Sequence, residues 1–99
     1  MDFEEHVRRA LDSLPADLTR GLENVAVVVE DENPDDPDLL GLYHGGAYEP
    51  HTVTIYRRPL EGEFRDPAEL EREIRITVLH ELGHYFGLDE DRLAELGYD

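Results

Sequence analysis

The sequence predicts an α+β domain: an N-terminal helix, three strands, a long helix and a short final helix. Three observations carry that prediction. Apolar residues recur at helical spacing near both ends of the chain, short β-branched and aromatic runs occupy its middle, and proline or glycine punctuates the joins. All 99 residues are read as one domain, 1–99. A core of that size is limited, so a bound metal could contribute noticeably to its stability.

Taken in order, Phe3, Val7, Ala10, Leu11 and Leu14 define an amphipathic helix over residues 2–14 that stops before Pro15. Residues 17–22 add a further turn. Residues 25–29, a β-branched run, read as a buried strand. Residues 31–38 form a loop by composition, being acidic and broken by Pro34 and Pro37. The loop lacks the alternating ligands and central glycine of an EF-hand, which argues against calcium. Residues 39–43 read as a second strand, followed by a turn at Gly45 and Gly46. Residues 52–57 read as a third, which Pro59 ends or places at a sheet edge. After a loop over 61–67, Pro67 opens the longest helix with Asp66 as its N-cap. A last helix over 90–96 has Asp89 as its candidate cap.

Charge and composition exclude several functions. The formal net charge is −16, and all nine basic residues are arginine. Such a field repels phosphate backbones and anionic membranes, so neither a nucleic acid nor a membrane is an expected partner. It favours cations and basic ligands, although solubility alone accounts for much of the acidity. The absence of cysteine excludes disulfides, thiolate metal sites and cysteine nucleophiles. No segment approaches the ~20 apolar residues of a membrane span. The acidic N-terminus lacks the pattern of a signal peptide, and a cytoplasmic location is the default expectation.

The chemistry concentrates in His80-Glu81-Leu82-Gly83-His84. On a helix the two histidines differ by ~40° in direction and ~6 Å in height, so both rings can reach one zinc ion from the same face. Glu81 follows the first histidine, where a carboxylate can lie beside a metal-bound water and take its proton. At ~100° per residue, Ile74, Val78, Leu82, Tyr85 and Phe86 form an apolar stripe. His80 and His84 lie roughly opposite its centre, with Glu73 and Thr77 on their side. A core histidine would sit within the stripe; this pair is placed to line a cleft. Gly87 can end the helix in a left-handed conformation and let the chain turn back. Glu90 stands ten positions after His80, completing the pattern H-E-x-x-H-x-x-G-x-x-E.

That pattern resembles the small zincin-like metallopeptidase family, sometimes described as minimal zincins. It is similar to the metzincin motif with an acidic residue in place of the third histidine. The resemblance extends to LLGLYHG at 39–45 and TIYRRPLE at 54–61, and so covers roughly residues 24–98. It implies a minimal zincin-like domain, with a small, mostly three-stranded sheet packed against the H-E-x-x-H helix. It implies Zn2+ as cofactor on His80 and His84, Glu81 as the catalytic carboxylate, and Glu90 at the third-ligand position. Two departures stand out. The only methionine is Met1, so there is no Met-turn beneath the metal. Glu90 has a longer side chain than the more usual histidine or aspartate, which leaves Asp91 as an alternative ligand; a cap at Asp89 would place Glu90 in the first helical turn with its side chain free.

The leading expectation is therefore a zinc-dependent metallopeptidase acting on a peptide or protein substrate, which would add as a strand along residues 52–57. The alternative is a catalytically weak or inactive metal-binding interaction module on the same scaffold, and a third reading is an acidic partner-binding protein with no metal. Intact Glu81 favours turnover, since a purely structural zinc has no use for a general base. The other candidates have plainer readings. His6 decorates the first helix; His44 and His51 flank the turn rather than stabilise an oxyanion; Tyr43, Tyr56 and Tyr98 pack; Arg57 and Arg58 form a solvated strand end rather than a substrate-facing pair.

Overall fold

The computed structural model describes residues 2–86 and 90–95, without the side chains of residues 84–86, 90, 92 and 93. Helix α1 (Phe3–Asp12) begins at Asp2, whose carboxylate accepts the Glu5 N–H at 2.9 Å. Helix α2 (Ala16–Gly21) and a 3-10 turn (Leu22–Asn24) lead into strand β1 (Val25–Glu30). Strands β2 (Gly41–Gly46) and β3 (Glu49–Tyr56) form a hairpin, and helices α3 (Arg57–Glu63), α4 (Pro67–Phe86) and α5 (Glu90–Glu95) follow. Asp66 caps α4 as expected: its carboxylate accepts the Glu69 N–H at 3.0 Å, and Pro67 opens the helix where no N–H partner is needed. The result is the α+β domain the sequence predicts, consistent with a minimal zincin fold.

The sheet order is β1-β3-β2, with β1 parallel and β2 antiparallel to β3. This overturns the expected edge position of residues 52–57, because β3 is the central strand. Val53 and Ile55 on it are 0% exposed, and Pro59, expected to end the strand or place it at a sheet edge, falls in the next helix. There it occupies the first turn of α3, where its missing N–H would have had no intrahelical partner. The strand accordingly ends at Tyr56, Arg57 begins a helix rather than ending a strand, and part of the loop expected over 61–67 is helical. Leu60, fully buried, anchors that helix. Strand β1 is also less enclosed than expected. Val25, Val27 and Val29 are half-buried while Ala26, Val28 and Glu30 alternate outward, as an edge strand covered on one face requires.

Helices α1 and α4 pack together over the inner sheet face. Phe3, Val7 and Ala10 meet Val53, Ile55, Ile74, Val78 and Leu82 in the main core, and Leu14, Leu18 and Leu79 form a smaller cluster beside it. Ile74, Val78 and Leu82 are the stripe expected of the long helix; the side chains of Tyr85 and Phe86 lie outside those described. His6 departs from its reading as surface decoration. It is buried, with Nδ1 2.6 Å from Glu71 Oε2 on α4. Its position, three after Phe3 and four before Ala10, places it on the core-facing stripe of α1.

Candidate active-site cleft

Burying Val78, Leu79 and Leu82 fixes the rotation of α4 about its axis. Thr77, His80 and Glu81 are thereby turned into a cleft of about 340 Å³ between α4, the start of β2 and the loop that joins β1 to β2. Asp36, Asp38, Leu39, Leu40 and Gly41 line its other side. His80 is exposed and Glu81 half-buried. A larger groove of about 500 Å³ runs between α1 and β1, but its lining of Val7, Leu11, Val27, Val28 and Val29 with Glu4 and Arg8 carries no comparable set of reactive groups.

The Glu81 carboxylate is held by main chain. Tyr43 N–H donates to Glu81 Oε2 at 3.2 Å. This amide is free to do so because of strand register. Tyr56 N–H donates to Leu40 O at 3.0 Å, which makes Leu40, Leu42 and His44 the residues bonded to β3. The main-chain groups of Gly41 and Tyr43 alternate with those and face away from β3. Gly41 lies close against α4: a Cβ there would meet Thr77 Cγ2 at 2.5 Å and Glu81 Cγ at 3.6 Å. Neither Gly41 nor the Tyr43 amide was among the residues singled out by sequence. The glycine opening a strand opposite an H-E-x-x-H helix was the available signal, whereas an amide has no residue-type signature.

The acidic loop is a built wall. Asn33 Oδ1 accepts the N–H groups of Asp35 and Asp36 at 2.8 and 3.1 Å, and Asn33 Nδ2 donates to Tyr56 Oη at 3.0 Å. Asp36 Oδ1 accepts the Asp38 N–H at 3.2 Å. At the base of the loop Arg57 pairs with Asp31 at 2.8 Å and Arg58 with Glu32 at 3.1 Å. The hydrogen bond from Arg57, and then its charge, lowers the Asp31 pKa; reciprocally the hydrogen bonds to Asp31 and Glu61 raise that of Arg57. These two arginines therefore clip the loop to α3 rather than face a substrate.

The remaining histidines divide. His44 Nε2 is 3.3 Å from Glu49 Oε2 on the exposed hairpin. His51 stacks on Tyr43, ring centroids 5.9 Å apart at 16°, and its Nδ1 is hydrogen-bonded to the Tyr43 hydroxyl. Gly45 makes room for the pair, since a Cβ there would stand 2.7 Å from His51 Nδ1.

For a metal, His80 offers an exposed imidazole at the cleft, and α4 continues as regular helix through Phe86, so residue 84 follows one turn on. The side chains of His84 and Glu90, together with Gly87, Asp89 and the C-terminal Tyr98, lie outside the described residues; Asp91 is exposed on α5. Among the described residues no three His, Asp or Glu side chains gather to hold a metal ion. Of the donors a zinc ion would need, the described residues supply the His80 imidazole, open to the cleft on a helix whose register puts residue 84 one turn further on.

The model of the zincin-like metallopeptidase family matches residues 22–98. Among solved structures, a conserved hypothetical protein from Thermo thermophilus is similar, with a TM-score of 0.56 at 28% identity, covering 98% of this chain and 96% of that one. No curated protein matches.

Proposed function

The chain belongs to the zincin-like metallopeptidase family, and from that premise we propose that it is a zinc-dependent peptidase with Glu81 as general base. One observation carries the proposal: His80 and Glu81 open on the same cleft, and the carboxylate is oriented by the Tyr43 amide of an adjoining strand. His80 and His84 would hold the zinc, with Glu90 as third ligand and Asp91 as the alternative. Zinc held there would supply Lewis-acid chemistry, activating water and the scissile carbonyl. Glu81 takes a proton from the attacking water and returns it to the leaving amine. Its anchored oxygen limits rotation of the carboxylate, so its orientation is set before substrate arrives.

The substrate would be an extended peptide or protein segment. With β3 central, the strand available beside α4 is β2; its Tyr43 N–H is taken by Glu81, and the outward-facing Gly41 main-chain groups and Tyr43 carbonyl suit strand addition. Asp36 and Asp38 on the cleft wall, in a chain of net charge −16, favour basic side chains in that peptide and disfavour nucleic acid. Among the described residues no helix is long and apolar enough to cross a membrane. A cytoplasmic location accords with a chain free of cysteine.

The test is cleavage of a mixed peptide library by the zinc-loaded protein at neutral pH. Glu81→Gln should bind zinc normally and lose about 100-fold or more of the activity. Parental rates in Glu81→Gln would remove Glu81 from the mechanism. Zinc binding with no cleavage by the parent protein would instead favour a metal-holding interaction module, a reading to which the small cleft lends some support.

A further inference from the structure

At Gly41 the distance between β2 and α4 is shorter than any side chain permits. A methyl carbon there would stand 2.5 Å from Thr77 Cγ2 and 3.2 Å from Thr54 O. Non-bonded carbons settle at ~3.5–4.0 Å, so an alanine forces strand and helix apart by roughly 1 Å unless Thr77 yields. Thr77 is poorly placed to yield: it is buried, and its hydroxyl donates to Glu73 O at 2.8 Å.

Two residues further along β2, on the same outward edge, Tyr43 N–H reaches Glu81 Oε2 at 3.2 Å. That is already the long end of the N–H···O range, about 2.7–3.2 Å, so a shift of even half an ångström abolishes it. The donor is main chain. No truncation of the Tyr43 side chain removes it, and its presence depends on how closely the strand approaches the helix.

We infer that Gly41 is a positioning residue for Glu81. By letting β2 lie against Thr77, it brings the Tyr43 amide within reach and so sets the orientation of the carboxylate. The catalytic consequence rests on the peptidase reading above. The contact itself does not.

The experiment has two readouts on the zinc-loaded, full-length protein. The first is the Tyr43 amide resonance in a nitrogen–proton correlation spectrum. Glu81→Gln should move it strongly in the parent background and only weakly once Gly41→Ala is present, because the contact has already gone. Thr77→Ser, which removes Cγ2 and keeps the hydroxyl bonded to Glu73 O, should restore the response when combined with Gly41→Ala. The second is turnover of a cleaved peptide. Gly41→Ala should lower kcat by roughly 100-fold, as expected of a ~1 Å misplacement, with KM and zinc stoichiometry little changed, and Thr77→Ser should recover most of the loss. An equal response of the Tyr43 amide to Glu81→Gln with and without Gly41→Ala would overturn the inference, as would an unaltered kcat in Gly41→Ala. If Gly41→Ala does not fold, Thr77→Ser should rescue both its folding and the Tyr43 response, and failure of Thr77→Ser to rescue either overturns the inference. If the parent cleaves no peptide, the peptidase reading falls and the amide readout alone decides the role of Gly41.

Discussion

His6→Ala tests the packing that joins the first and fourth helices. The substitution removes a ring whose side chain is 10% exposed and whose Nδ1 lies 2.6 Å from Glu71 Oε2, itself on a side chain 16% exposed. A hydrogen bond to a charged group is worth about 1.5–3 kcal/mol. The carboxylate left behind adds a penalty, since breaking a fully buried pair costs about 3–5 kcal/mol. Two features pull the expectation below that range. Glu71 keeps some exposure, and Arg9 Nε remains 3.8 Å from its other oxygen. The expected loss is therefore about 2–4 kcal/mol, which at ~4–8 °C per kcal/mol for a domain of this size lowers Tm by roughly 8–32 °C. Urea unfolding gives the measurement, with the midpoint falling and the slope m unchanged. Arg8→Ala, on the exposed side of the same helix, serves as the control and should stay within about 0.5 kcal/mol of the parent. If His6→Ala unfolds at the same urea concentration as Arg8→Ala, the His6–Glu71 contact contributes nothing and the account of the α1–α4 interface is wrong.

Calorimetric titration of the metal-free protein should show about one zinc per chain, lost in His80→Ala/His84→Ala; Glu90→Gln should weaken binding ~10-fold or more and Asp91→Asn little, and the reverse order would make Asp91 the ligand. Asp36→Asn/Asp38→Asn should lower kcat/KM for a peptide bearing basic side chains while sparing a neutral one, and an equal effect on both would remove the loop from substrate selection. Asp31 should titrate below the usual ~3.9 and return toward it in Arg57→Ala, read from the carboxyl carbon shift. Because its folded pKa is depressed, the stabilisation from the Arg57 contact is fully present above ~3.9 and is lost as pH falls through the folded value. A midpoint unmoved by Arg57→Ala would contradict that assignment.

What the sequence determined by itself is what depends on neighbours along the chain. Asp2 and Asp66 cap the helices they precede because a cap acts over three residues. Ile74, Val78 and Leu82 share a face because helical periodicity is local, and burying that face sends His80 to the opposite side and leaves Glu81 at its margin. The family, too, was legible, since its motif and upstream segments lie in contiguous letters. Part of what was missed had a local signal: His6 lies on the same stripe as Phe3, Val7 and Ala10, and Pro59 is compatible with the first turn of a helix as well as the end of a strand. Tertiary structure alone decided the rest. Strand order arises from pairings between distant segments, so nothing within residues 52–57 announces that they will lie between β1 and β2. Arg57 and Arg58 became a clip for the acidic loop only because that loop folds back to them. The contact on Glu81 is the extreme case: its donor is a backbone amide that every residue but proline possesses, and it reaches the carboxylate because a glycine two residues away lets a strand lie against a helix.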